Sequence, residues 1–89
     1  MKKLLTRTVA GRKYENVAGK WVHTITDRHT IVVDRVEDGW EATEIRASKN
    51  GTIIDGTKRI IKRSVKAPTM WEAANKLDYI IKRYPEITL

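Results

Sequence analysis

The chain has no cysteine. Disulfide staples and thiolate metal sites are therefore excluded, and a reducing cytoplasm is the expected setting. No apolar run approaches the ~18 residues needed to cross a membrane. The start, Met1-Lys2-Lys3-Leu4-Leu5, lacks the apolar core of a signal peptide. Neither membrane insertion nor secretion is expected. Catalytic signatures are missing too. There is no phosphate-cradling glycine motif, no nucleophile motif and no HExxH pair. Histidine is scarce: His23 and His29 stand six residues apart, with Asp27 and Asp34 near, a spacing without metal-site geometry. Glu41 and Glu44 would project from opposite sides of a strand and make a poor acid–base pair. No enzyme activity, cofactor or metal is expected. Internal repeats and low-complexity linkers are also absent, and 89 residues suit one domain, residues 1–89, with a small core.

What the chain does have is positive charge, with 18 Lys+Arg against 11 Asp+Glu. The excess is placed in blocks. Residues 1–26 carry net +5, residues 27–55 net −3, residues 56–66 net +5, and residues 67–89 balance. Two basic blocks around an acidic middle point to nucleic acid, an anionic surface or an acidic protein as partner.

One helix is legible, within Ala67 to Arg83. Met70, Ala73, Ala74, Leu77, Ile80, Ile81 and Tyr84 follow a 3.6-residue period and form one apolar stripe. Thr69 and Glu72 are spaced as a capping box. Lys82 and Arg83 suit the negative end of the helix dipole, and Pro85 ends propagation. Trp71 falls beside the stripe and Tyr79 opposite it. With no second helix in view, the stripe must be buried on a sheet.

The preceding residues supply that sheet. Trp21 to Thr26 alternates and is β-branched or aromatic. Asp27-Arg28-His29 reads as a turn, Thr30 to Val36 as a strand, and Glu37-Asp38-Gly39 as a hairpin turn. Trp40 to Ala47 is the return strand. Its apolar positions change phase between Ala42 and Ile45, through a bulge or through cover on both faces. Asn50-Gly51 and Asp55-Gly56 are further turns around Thr52-Ile53-Ile54, and Lys58 to Lys66 is the last strand. Residues 1–19 read as a flexible basic arm or an edge strand, with Lys3 to Val9 extended. The expected class is α+β: a three- to four-stranded antiparallel sheet with one C-terminal helix packed on one face. Trp21 and Trp40 are expected in the core or at its edge.

The last strand carries the functional signal. Lys58, Lys62 and Lys66 share one side, ~13 Å apart on a strand, about two phosphate steps. Ile61 and Val65 mark the other side as the core side. Arg59 and Arg63 would reach past their apolar stems at the rim. Such contacts set affinity and register on a nucleic acid. Arg46, Lys49, Asn50 and Thr43 in the middle hairpin are candidates for reading bases.

From Gly39 onward the pattern resembles the three-strand-plus-helix DNA-binding domains of the AP2 type and of the arm-binding N-terminal domains of phage integrases. The matching residues are Gly39-Trp40-Glu41-Ala42, Ile45-Arg46, Gly51, Arg59, Thr69-x-x-Glu72-Ala73 and Leu77. That resemblance implies a sheet lying in the major groove, backed by the helix, and a phage-like origin. A layout of four strands then a helix also resembles the PC4-like fold, which implies a homodimer binding single-stranded DNA. The expected function is DNA binding, double- or single-stranded, through Arg46, Lys49, Lys58, Arg59, Lys62, Arg63 and Lys66. The alternative is an interaction module that docks on a host protein.

Overall fold

The computed structural model describes residues 5–47 and 60–84. Six strands form one antiparallel sheet in sequence order: β1 (Thr6–Val9), β2 (Arg12–Val17), β3 (Lys20–Thr26), β4 (His29–Val36), β5 (Gly39–Ala47) and β6 (Ile60–Ala67). The helix α1 (Met70–Arg83) follows. The class is α+β, as expected, but the strand number is six rather than three or four. The difference lies in residues 6–17, which form a hairpin.

That hairpin has little apolar patterning, and its turns explain how it forms. Ala10 and Gly11 have φ of 53° and 77°, and Ala18 and Gly19 have φ of 53° and 85°. Positive φ at both central residues is what a type I′ turn requires, and its twist matches that of the flanking strands. The expected signal at such a turn is Asn-Gly or Asp-Gly. Here an alanine takes the first place, at a cost of about 1 kcal/mol each.

Neighbouring strands keep simple registers, apart from one irregularity between Thr24 and Thr26. β5 pairs without a shift on either side. The phase change at Ala42 and Ile45 is therefore not a bulge: Ala42 is buried beneath α1, and Ile45 lies half-buried among its strand neighbours on the open side.

The helix starts as its sequence suggests. Thr69 caps it, its hydroxyl accepting from the Glu72 N–H at 3.1 Å. The Tyr84 N–H closes the far end on the Ile80 carbonyl at 2.7 Å. Met70, Ala73, Ala74, Leu77 and Ile81 are buried with Val9, Tyr14, Trp21, Ile31, Val33, Ala42 and Ala67 in one core. Trp40 and Val65 pack against it. The helix touches β4, β5 and β6 and also the edge strand β1, so the sheet curls round it. Tyr84, expected on the apolar stripe, lies past the last turn and is exposed.

Gly39 opens β5 with φ of 143°, and a Cβ there would come within 2.5 Å of the Ala67 carbonyl oxygen on β6. Gly39→Ala is expected to lower stability by about 2 kcal/mol or more in urea melts. Ala18→Asn, which eases a left-handed turn position, is expected to raise it by about 0.5–1 kcal/mol.

Candidate nucleic-acid interface

Side chains alternate along each strand, and residues paired in register share a face. One face turns to the helix. Across it run Trp21, Val33, Ala42 and Val65, then His23, Ile31, Glu44 and Arg63. The other face is open. Across it run Glu15, Val22, Val32, Thr43 and Ser64; beside them Thr30, Ile45 and Lys62; and, towards the opposite end, Asp34, Glu41 and Lys66. A shallow depression of about 530 Å³ lies on this face. Val17, Val22, Val32 and Ile45 line it, and Lys20, Asp34, Glu41 and Lys62 surround it.

Lys62 and Lys66 share the open face, both exposed. Lys66 stands opposite Glu41 and Lys62 opposite Ile45. Lys58, Arg59, Lys49 and Asn50 lie outside the described residues. Thr43 is on the open face, its hydroxyl 3.1 Å from that of Ser64.

Alternation and register put Arg46 and Arg63 on the helix side, where Glu44 binds both. Arg63 Nε donates to Glu44 Oε1 at 2.5 Å, and Arg46 Nη2 donates to Oε2 at 3.1 Å. His29 Nε2 lies 2.5 Å from the same Oε2. Glu44 is fully buried. Burial by itself would raise its pKa. The hydrogen bonds from Arg63 and His29, and their charge, outweigh that and hold the carboxyl below the usual range. Among the described residues, Arg46 Nε and Arg63 Nη2 are buried without a hydrogen-bond partner, and two guanidinium groups face one carboxylate, so this cluster is cationic. No period or composition marked Glu44 as a buried charge. The visible hint was its place two residues after Ala42, on the core side of β5.

A second buried carboxylate ties the helix to the sheet. Asp78 on α1 takes Arg12 Nε of β2 at 2.9 Å and Lys82 Nζ at 3.0 Å. Burial again acts to raise its pKa, and these two cations hold it below the usual range. Nearby, burial pushes the Tyr14 hydroxyl up to about 12. Arg7 lies over the Trp21 ring, 4.9 Å from its centre. Among the described residues, no three His, Asp or Glu side chains come together as metal ligands do, and no helix is long and apolar enough to cross a membrane.

The fold also sorts charge along the strand axis. Turns 10–11 and 27–28, the end of β5 and the start of β6 lie at one end of the sheet. Lys13, Arg28, Arg46, Lys62 and Arg63 lie towards that end, against two carboxylates there, Asp27 in the turn and the buried Glu44. Turns 18–19 and 37–38 lie at the other, with Asp34, Glu37, Asp38 and Glu41. There Lys20 bridges Asp34 at 3.7 Å. Lys13 was not among the residues singled out from the sequence. It reaches the open face because Tyr14, next to it, is buried on the other. Comparison with protein-family models, with curated proteins and with solved structures finds no match.

The carboxylates set the pH response. The unfolded chain takes up protons near pH 4, whereas folded Glu44 and Asp78 stay ionised to lower pH. The unfolded state therefore binds more protons there, and stability is expected to fall as pH drops through this range. Tyr14 acts at the other limit: the unfolded phenol ionises near pH 10, the folded one near 12, so stability falls across that window. Glu44→Gln strands two guanidinium groups and is expected to cost about 3–5 kcal/mol at neutral pH, with a shallower acid limb. Urea melts from about pH 2 to pH 11 check both.

Proposed function

We propose that the protein binds nucleic acid, DNA foremost, by laying the phosphate backbone across the basic half of the open sheet face. One observation carries this reading. The row from Lys13 on β2 to Lys62 on β6 presents Thr24, Thr30 and Ile45 and holds no carboxylate, while Glu15 stands in the adjoining row of the same face, opposite Val22. Lys62 has no ion pair among the described residues. Apart from Glu15, the open-face carboxylates among the described residues, Asp34 and Glu41, lie in the other half, beside Lys20 and Lys66. Four strand spacings of ~4.8 Å separate β2 from β6, so the two lysines bracket a strip of about 19 Å. Threonine hydroxyls between them are suited to phosphate oxygens.

In the sequence, Lys49, Lys58 and Arg59 fall between β5 and β6 and add to the positive charge of the chain. Duplex is favoured over unpaired strands. Tyr14, Trp21 and Trp40 all face the helix, so the described open face carries no aromatic ring on which bases would stack. Arg46 and Arg63 enter as fixed positive charge behind the strip, since Glu44 occupies their best donors.

With about five phosphates neutralised, the log–log slope of affinity against salt is expected near −4 to −5 on duplex DNA. Lys62→Ala and Lys13→Ala are each expected to reduce its magnitude by about 1. Lys66→Ala, opposite Glu41, should change it less. Fluorescence anisotropy with duplex DNA, single-stranded DNA and RNA at two salt concentrations measures this. A titration that is flat between low and moderate salt overturns the reading.

A further inference from the structure

The outer side of α1 carries a pattern that the sheet does not use. Trp71, Tyr79 and Tyr84 are 60%, 61% and 57% exposed, although aromatic rings usually bury most of their surface. Glu72, Lys76, Lys82 and Arg83 are interspersed with them, all exposed. Met70, Leu77 and Ile81 face the core, so the outward line of the helix passes through Tyr79.

The order of these residues along the helix is informative. At 3.6 residues per turn, positions eleven apart lie three turns along and within about 20° of each other. Glu72 and Arg83 are such a pair, on one flank of the outward line. Trp71 and Lys82 are another, on the opposite flank. Each flank therefore holds a group at one end and a matching group at the other. A surface of this kind is complementary to itself after a two-fold rotation.

We propose that this face docks on the same face of a second copy of the chain, with the two helices antiparallel and the two-fold axis passing near Leu77. Glu72 then meets Arg83 of the second copy on one flank, and Trp71 meets Lys82 of the second copy on the other. Tyr79 sits at the centre, against Lys76 of the second copy. The flanks supply ion pairs and cation–π contacts, and antiparallel helices oppose their dipoles. Trp, Tyr and Arg are also the residues that most often anchor interfaces.

The present partners of these groups are weak or local. Lys82 bonds Asp78 within its own helix, Arg83 Nε donates to the adjacent Tyr84 hydroxyl at 3.3 Å, and Lys76 Nζ makes a long 3.3 Å bond to the Lys66 carbonyl of β6. Neither Glu72 nor Arg83 has an ion pair among the described residues. A nucleic acid is the poorer occupant, since Glu72 would sit against its phosphates. A helix of 14 residues is about 21 Å long, short of what a standard interface needs, so the contact belongs with transient ones. The open sheet faces stay on the outside of such a pair. The inference holds whether or not those faces bind nucleic acid.

The test is sedimentation velocity of the nuclease-treated chain from about 10 µM to about 1 mM. The wild-type average mass is expected to rise from 10.3 kDa towards twice that value. Glu72→Arg alone sets Arg against Arg83 on both sides of the axis, and Arg83→Glu alone sets Glu against Glu72. Each is expected to weaken association at least about tenfold. An equimolar mixture of the two variants regains both ion pairs in the mixed dimer and is expected to associate again. Circular dichroism of each variant reports that the helix is retained. A wild type that stays monomeric throughout overturns the proposal, as does a mixture no tighter than its components. Loss of oligothymidine binding in Trp71→Ala, with the wild type monomeric, assigns the face to base stacking instead.

Discussion

Everything in this fold depends on one burial: the apolar stripe of α1 against the inner face of the sheet. A six-stranded meander satisfies its own backbone hydrogen bonds but leaves one face with nothing to cover it. Leu77 and Ala73, fully buried, close that face, and fully burying a leucine side chain stabilises by about 1.5–3 kcal/mol. Because the core is small, the edges must contribute as well. Val9 and Tyr14, from the two strands least marked in the sequence, are among its most buried residues. Without them the curl that brings β1 to the helix would have no apolar contact to hold it.

Charge organises what remains. Two buried carboxylates act as fasteners. Asp78 joins helix to β2, and Glu44 joins β4, β5 and β6 through His29, Arg46 and Arg63. Each carboxylate would be costly alone and is stable only because its partners come with it. The cationic excess left around Glu44, together with Lys13 and Lys62, places positive charge at one end of the sheet. The acids of the 37–38 turn gather at the other. Blocks that alternate in the sequence thus become a gradient along the strand axis.

The legible parts of the sequence share a cause. The helix has a 3.6-residue period, a capping threonine and a closing proline, all local signals. Trp21–Thr26 and Thr30–Val36 are β-branched runs beside recognisable turns. The hairpin of β1 and β2 carries few apolar residues, and its turns use Ala-Gly, so neither signal was strong. Arg63 was legible as a core-side residue of β6, since it alternates with Val65. That it would be bound by a carboxylate was not, because its partner lies nineteen positions away on another strand.

By itself, the amino-acid sequence determined the helix, its caps, its buried stripe and the strands that alternate near it, because those follow from neighbours within a few residues. It also determined an excess of lysine and arginine in two blocks. Tertiary structure alone decided which cations meet solvent and which meet Glu44, and that Lys13 and Lys62 share a face. Those outcomes depend on register between strands distant in the chain, and register is set by the burial of the whole sheet rather than by any one segment.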